Sequence, residues 1–93
     1  MTAIQPTSRL RLGDQASYQS VDDGAVVLMA DSGQLYTCNE TTGAFLARVD
    51  GVRTFSEIVE GFVDEFDIDK GTAREDLSEL AGNLLDEGII ALV

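Results

Sequence analysis

Ninety-three residues suit a single domain, and 44% apolar content can supply one core without disulfide or metal staples. Seventeen acidic against six basic residues leave a net charge of −11. That balance excludes nucleic-acid backbones and anionic membrane surfaces as partners, since both are held chiefly by Lys and Arg. Histidine is absent and Cys38 is the one cysteine, which rules out Cys/His zinc sites, His-dependent nucleophile systems and an internal disulfide. Met1 to Leu12 lacks the apolar run of a signal peptide, and no stretch approaches the ~18 consecutive apolar residues of a membrane span. The expectation is a soluble cytoplasmic protein that is not an enzyme and uses no cofactor or metal.

In chain order, residues 1–8 are polar, carry Pro6 and show no period, so they read as a flexible arm ahead of a single domain over 9–93. Arg9-Leu10-Arg11-Leu12 alternates but is short. Ala16 to Val21 reads as a weak strand whose one large side chain is Tyr18, and Asp22-Asp23-Gly24 supplies a tight turn. Ala25 to Ala30 is a short apolar run with adjacent valines, which predicts a strand buried on both faces. Asp31-Ser32-Gly33 makes the next turn, and Gln34 to Cys38 a third strand. Three strands and two short turns predict an antiparallel meander with the apolar strand in the middle.

Beyond Cys38 the period becomes helical. Asn39 suits the N-cap of a helix carrying Thr42, Phe45, Leu46 and Val49, stopped by Asp50-Gly51. Thr54 and Glu57 form a capping box ahead of the stripe Phe55, Ile58, Val59, Phe62, Val63 and Phe66. Asp67-Ile68-Asp69 breaks that helix. Thr72 and Glu75 offer a second capping box before Ala73, Leu77, Leu80, Ala81, Leu84 and Leu85, and Gly88 closes the helix. Ile89, Ile90, Leu92 and Val93 form an apolar tail that must pack on something. The order predicts an α+β domain, a small sheet on three helices.

The third strand is the most informative element. Sheet edges expose unpaired N–H and C=O groups and are usually blunted by Lys, Pro or charge. Gln34-Leu35-Tyr36-Thr37-Cys38 has none of these, so it either accepts an extended peptide as a further strand or is covered by another part of the chain or a second copy. Asp31-Ser32 resembles the attachment pair of acyl and peptidyl carrier proteins, with Ser32 as the phosphopantetheine site. Carriers, however, place that serine at a helix start, whereas Ser32 lies between two strand patterns. Cys38, at the strand end, reads as an ordinary small buried cysteine. The acids Asp64, Glu65, Asp67 and Asp69 lack the spacing and glycine of a calcium loop and read as a solvated face.

These residues carry a resemblance. Gln34 to Gly43 is similar to the strand-to-helix junction of PqqD-like proteins, recognition elements for ribosomally made, post-translationally modified peptides. Asp50-Gly51-Val52-Arg53-Thr54-Phe55-Ser56-Glu57-Ile58 resembles that family's Asp-Gly-x-Arg-Thr-x-x-Glu-Ile segment. Glu75-Asp76-Leu77 through Gly88-Ile89-Ile90 resembles its closing helix and end. The resemblance implies a winged helix-turn-helix domain: a three-stranded antiparallel sheet followed by three helices. It further implies a peptide chaperone that binds a precursor's leader region by strand addition and presents it to a radical SAM enzyme, cyclase or leader peptidase. Carried over residue by residue, it names Gln34, Leu35, Tyr36, Thr37 and Cys38 for backbone pairing and Arg74, Leu77, Ser78 and Ala81 for the groove wall. Partners would be a leader peptide and a maturation enzyme, with the chain a monomer or weak dimer. Cys38 stands where the family has a hydrophobe, and the proline-containing strand-turn of quinone-cofactor proteins is missing between Met29 and Gln34. Pyrroloquinoline quinone, a lasso peptide and other products all remain open as the pathway.

Overall fold

In the computed structural model, which describes residues 4–93, eight elements follow one another. They are β1 (Leu10–Leu12), β2 (Ala16–Val21), β3 (Gly24–Met29), β4 (Leu35–Cys38), α1 (Glu40–Leu46), α2 (Phe55–Phe66), α3 (Lys70–Asp86) and β5 (Ile90–Leu92). The expected meander is present as an antiparallel sheet in the order β2-β3-β4, followed by the three expected helices. The architecture is the α+β arrangement read from the sequence.

Two segments acquire a structure that the sequence left unassigned. Leu10–Leu12 and the apolar tail pair as an antiparallel ribbon, with Leu10 opposite Leu92 and Leu12 opposite Ile90. This gives Ile89 and Ile90 the burial that their composition demanded. Residues 1–3 of the expected arm lie outside the described residues. Further along it, the carbonyls of Pro6 and Ser8 accept hydrogen bonds from the N–H groups of Ser56 and Phe55. Those are orphan donors in the first turn of α2, which every helix must satisfy from outside itself.

β3 corrects the sequence reading. Ala25, Val27 and Met29 are buried against the helices, but Leu28, on the opposite face, is 46% exposed. The helices occupy one side of the sheet only, so an apolar run does not here mean two covered faces. Inward residues of β3 join Phe45, Leu46, Phe55, Ile58, Phe62, Leu77 and Leu84 in one core. Close approach holds α1 on the sheet: a Cβ on Gly24 would lie 2.0 Å from the Cys38 carbonyl oxygen, and one on Gly43 would lie 3.0 Å from Gly24.

Helix caps follow the sequence in two of three cases. Asn39 Oδ1 accepts from the Thr42 N–H at 2.9 Å, and Thr54 and Glu57 form the expected reciprocal box. For α3 the cap is Asp69, whose Oδ2 accepts from the Thr72 N–H, so Thr72 lies inside the helix instead of opening it. A side chain directly after a break has first claim on the orphan donors, and Asp69 precedes Thr72. Between α2 and α3, Asp67 adopts φ 50°, a left-handed turn that few non-glycine residues accept but Asp tolerates.

Two outcomes test this packing. Replacing Gly24 with Ala forces a methyl group onto the Cys38 carbonyl and should cost about 1–3 kcal/mol in urea unfolding, with no change in the denaturant slope. The bond from the Thr54 N–H holds the Glu57 carboxyl below its usual range. A depressed folded-state pKa gives stability that is present above the ordinary glutamate range and lost as pH falls through the folded value. Glu57→Gln, which keeps the box without the charge, should therefore flatten the acid limb by lowering stability at neutral pH, and the two proteins should converge as pH falls below the folded value.

Candidate functional site

The geometry of β4 follows from its pairing on one side only. Leu35, Tyr36, Thr37 and Cys38 are the partners of Leu28, Val27, Val26 and Ala25. The Met29 N–H donates to the Gln34 carbonyl at 2.9 Å, which fixes the phase of the ladder. In an antiparallel pair, hydrogen-bonded and non-bonded positions alternate, so Tyr36 and Cys38 turn their N–H and C=O toward β3, as Gln34 does its carbonyl. Leu35 and Thr37 turn theirs the other way. Among the described residues, no hydrogen bond takes up those outward groups.

α3 meets this strand near the helix's C-terminal end. There the Tyr36 hydroxyl lies 2.9 Å from Glu87 Oε2 and 3.0 Å from Gln34 Oε1. Near its N-terminal half, Ala73, Asp76 and Leu77 face Thr41, Phe62, Phe66 and Ile68 across a cleft of about 340 Å³. From Leu77 to Glu87 a helix rises ~15 Å. From Tyr36 to Thr41 the chain extends at most ~17 Å. Tyr36 thus lies by the C-terminal end of α3, while Thr41, on α1 beyond the end of β4, faces the helix's N-terminal half. The cleft floor is aromatic and aliphatic, with Phe62 and Phe66 rings 4.9 Å apart and Ile68 38% exposed.

Of the residues singled out from sequence, Gln34 leads into β4, Leu35 to Cys38 form it, and Leu77 lines the cleft. Ala81, like Ala73 and Leu77, is buried in the core. Arg74 and Ser78 lie two positions either side of Asp76, on another face of the helix, since neighbours on one face recur at three and four. The α3 residues that line the cleft are Ala73, Asp76 and Leu77, and Glu87 at its C-cap reaches β4. Sequence reasoning missed Asp76, Glu87 and Ile68. The one available signal was the αL-tolerant Asp67 beside Ile68, where a helix break turns an aliphatic side chain back toward α3.

Electrostatics set the character of the site. Accepting a hydrogen bond from the Tyr36 hydroxyl, the Glu87 carboxylate holds that proton in place and raises the phenol above its ordinary pKa. Partial burial likewise raises the Cys38 thiol, which argues against a thiolate at neutral pH. Ser32 lies in the β3–β4 turn with its Oγ near the Gln34 N–H, away from any helix start. Among the described residues, no group of three or more His, Cys, Asp or Glu side chains is placed to hold a metal ion. Nor is any helix there long and apolar enough to cross a membrane.

Fold and site together define a winged helix-turn-helix domain with an unclaimed sheet edge facing a helix. Residues 24–90 match the family of coenzyme PQQ synthesis protein D (PqqD), and the chain belongs to that family. Among solved structures, it resembles TbiB1 in complex with the TbiA(beta) leader peptide. That match has 19% identity and a TM-score of 0.79, covering 86% of this chain and 93% of the other. It also resembles lasso peptide synthetase B1 complexed with the leader peptide, at 22% identity and a TM-score of 0.78, covering 89% and 98%. No curated protein matches the chain. The match to the family begins at Gly24, so β1 and β2 lie outside it, whereas β4, the cleft and α3 all lie inside.

The hydroxyl contact yields a direct check. In a Tyr18→Phe background, leaving Tyr36 as the one tyrosine, Glu87→Gln should lower the pH of the phenolate absorbance transition toward that of free tyrosine.

Proposed function

We propose that this chain binds the leader segment of a ribosomally made precursor peptide and acts by binding, without catalysis of its own. The guest adds as a strand beside β4, exchanging hydrogen bonds with Leu35 and Thr37. Its inward side chains fall toward the Phe62, Phe66, Ile68 and Leu77 cleft. The single observation that carries this reading is the outward, unclaimed main chain of Leu35 and Thr37 on the strand that contacts α3, the helix lining an apolar cleft. Membership of the PqqD family supports it, as do the two similar structures, each a complex with a leader peptide.

The chain then presents the rest of the precursor to a modifying enzyme: a radical SAM enzyme, a cyclase or a leader peptidase. With the net charge at −11, association is fastest for leaders or enzymes that carry basic patches. The domain over 9–93 works as one unit, in the cytoplasm, as a monomer or weak dimer. A carrier role for Ser32 gains nothing from its position in a hairpin turn.

Fluorescence anisotropy with a labelled synthetic leader, taken from the precursor encoded beside this chain, should show saturable micromolar or tighter binding. Thr37→Pro removes an outward donor and no β3 bond, so it should fold normally yet weaken binding about tenfold or more. Tyr36→Pro, by contrast, takes a donor from the β3 ladder and should lower stability as well. Ile68→Asp, at a partly exposed cleft position, should weaken binding without unfolding the chain. Normal leader binding by folded Thr37→Pro and Ile68→Asp variants would refute the site.

A further inference from the structure

The face of the sheet turned away from the helices carries no charge. β2, β3 and β4, of 6, 6 and 4 residues, contain no Asp, Glu, Lys or Arg, although a quarter of the chain is charged. Side chains on this face fall into rows. Ser17, Leu28 and Leu35 are successive partners in one row, and Gln19, Val26 and Thr37 in the next. Leu28 is 46% exposed and Leu35 63%, and with Val26 they border a recess of about 250 Å³.

Strand geometry links this face to the open edge. In a strand, the residues whose N–H and C=O point to one edge also share one face of the pleat. Leu35 and Thr37 therefore offer both an outward main chain and an outer-face side chain. A guest residue in register with either shares that outer face, whichever way the guest runs. Beyond Leu35 nothing in the described residues continues the row, so its apolar side chain awaits a neighbour on the guest side. Cross-strand neighbours of this kind contribute specificity through apolar and β-branched contacts, and a charge placed against them finds no partner.

We infer that the added strand is read on both faces. The guest residue in register with Leu35 carries a large apolar side chain lying across Leu35 toward Leu28. The residue two positions along, in register with Thr37, is uncharged. This rests on the strand-addition reading and adds to it a second selective surface, opposite the cleft.

Selection of the full chain against an mRNA-displayed library of random linear peptides tests it. Amide chemical-shift changes at Leu35 and Thr37 identify peptides bound at the edge, and proline and N-methyl scanning assign their register. Enriched peptides should be apolar at the position facing Leu35 and uncharged at the one facing Thr37. Repeating the selection on Leu35→Glu, a change at an exposed site, should switch the first position to Lys or Arg. Preferences on the cleft side should stay the same. Charged residues at the Leu35 position on the native chain, or an unchanged preference in Leu35→Glu, overturn this inference and leave strand addition standing. No enrichment, or enriched peptides that leave Leu35 and Thr37 amides unshifted, overturns strand addition and this inference together.

Discussion

A strand hydrogen-bonded on one side alone divides its residues into two kinds, and in β4 that division organises everything around it. Gln34, Tyr36 and Cys38 look to β3, and their side chains sit over the helical side of the sheet. Leu35 and Thr37 look away, with their side chains on the outer face. The amide and carbonyl groups that a guest strand would meet therefore belong to residues whose side chains do not enter the groove. Groove composition and main-chain pairing are supplied by different residues. A substitution on one surface can leave the other intact, which is why proline at Thr37 and proline at Tyr36 have different consequences.

The second requirement is that α3 stay near the edge without covering it. Two contacts meet that need. Asp69 caps the helix where it leaves the Asp67 turn, setting Ala73, Asp76 and Leu77 against Phe62, Phe66 and Ile68. At the other end Glu87, which caps α3, reaches the Tyr36 hydroxyl. The buried stripe Ala73, Leu77, Ala81 and Leu84 packs the helix on the core.

Much of this was legible in the sequence, and the failures have identifiable causes. Turn residues, period changes and two caps gave the element order, because each is a local signal. The β1–β5 pairing joins residues some eighty positions apart, and no local pattern announces it. β3 was read as covered twice because composition reports hydrophobicity without saying which side the helices take. On α3, Ala81 and Leu77 belong to one buried stripe, and only the neighbouring elements show that Asp76 borders the cleft and Glu87 reaches Tyr36. An edge strand without Lys, Pro or charge was readable at once, since such guards are visible as residues.

That absence raises a physical question, because an unguarded apolar edge also invites a second copy of the same chain. The charge distribution bears on it. Both the β4 edge and the sheet face beside it are uncharged, so no local group repels a guest. The acids lie on the helices and turns, with Asp76 and Glu87 flanking the groove. Two copies approaching edge to edge bring −11 against −11, which opposes their encounter at distances up to about 8–10 Å in physiological salt. A neutral or basic peptide meets no such opposition. Protection against self-pairing is thus carried by net charge on the rest of the molecule, and the strand itself is left free of the side chains that would also exclude a ligand.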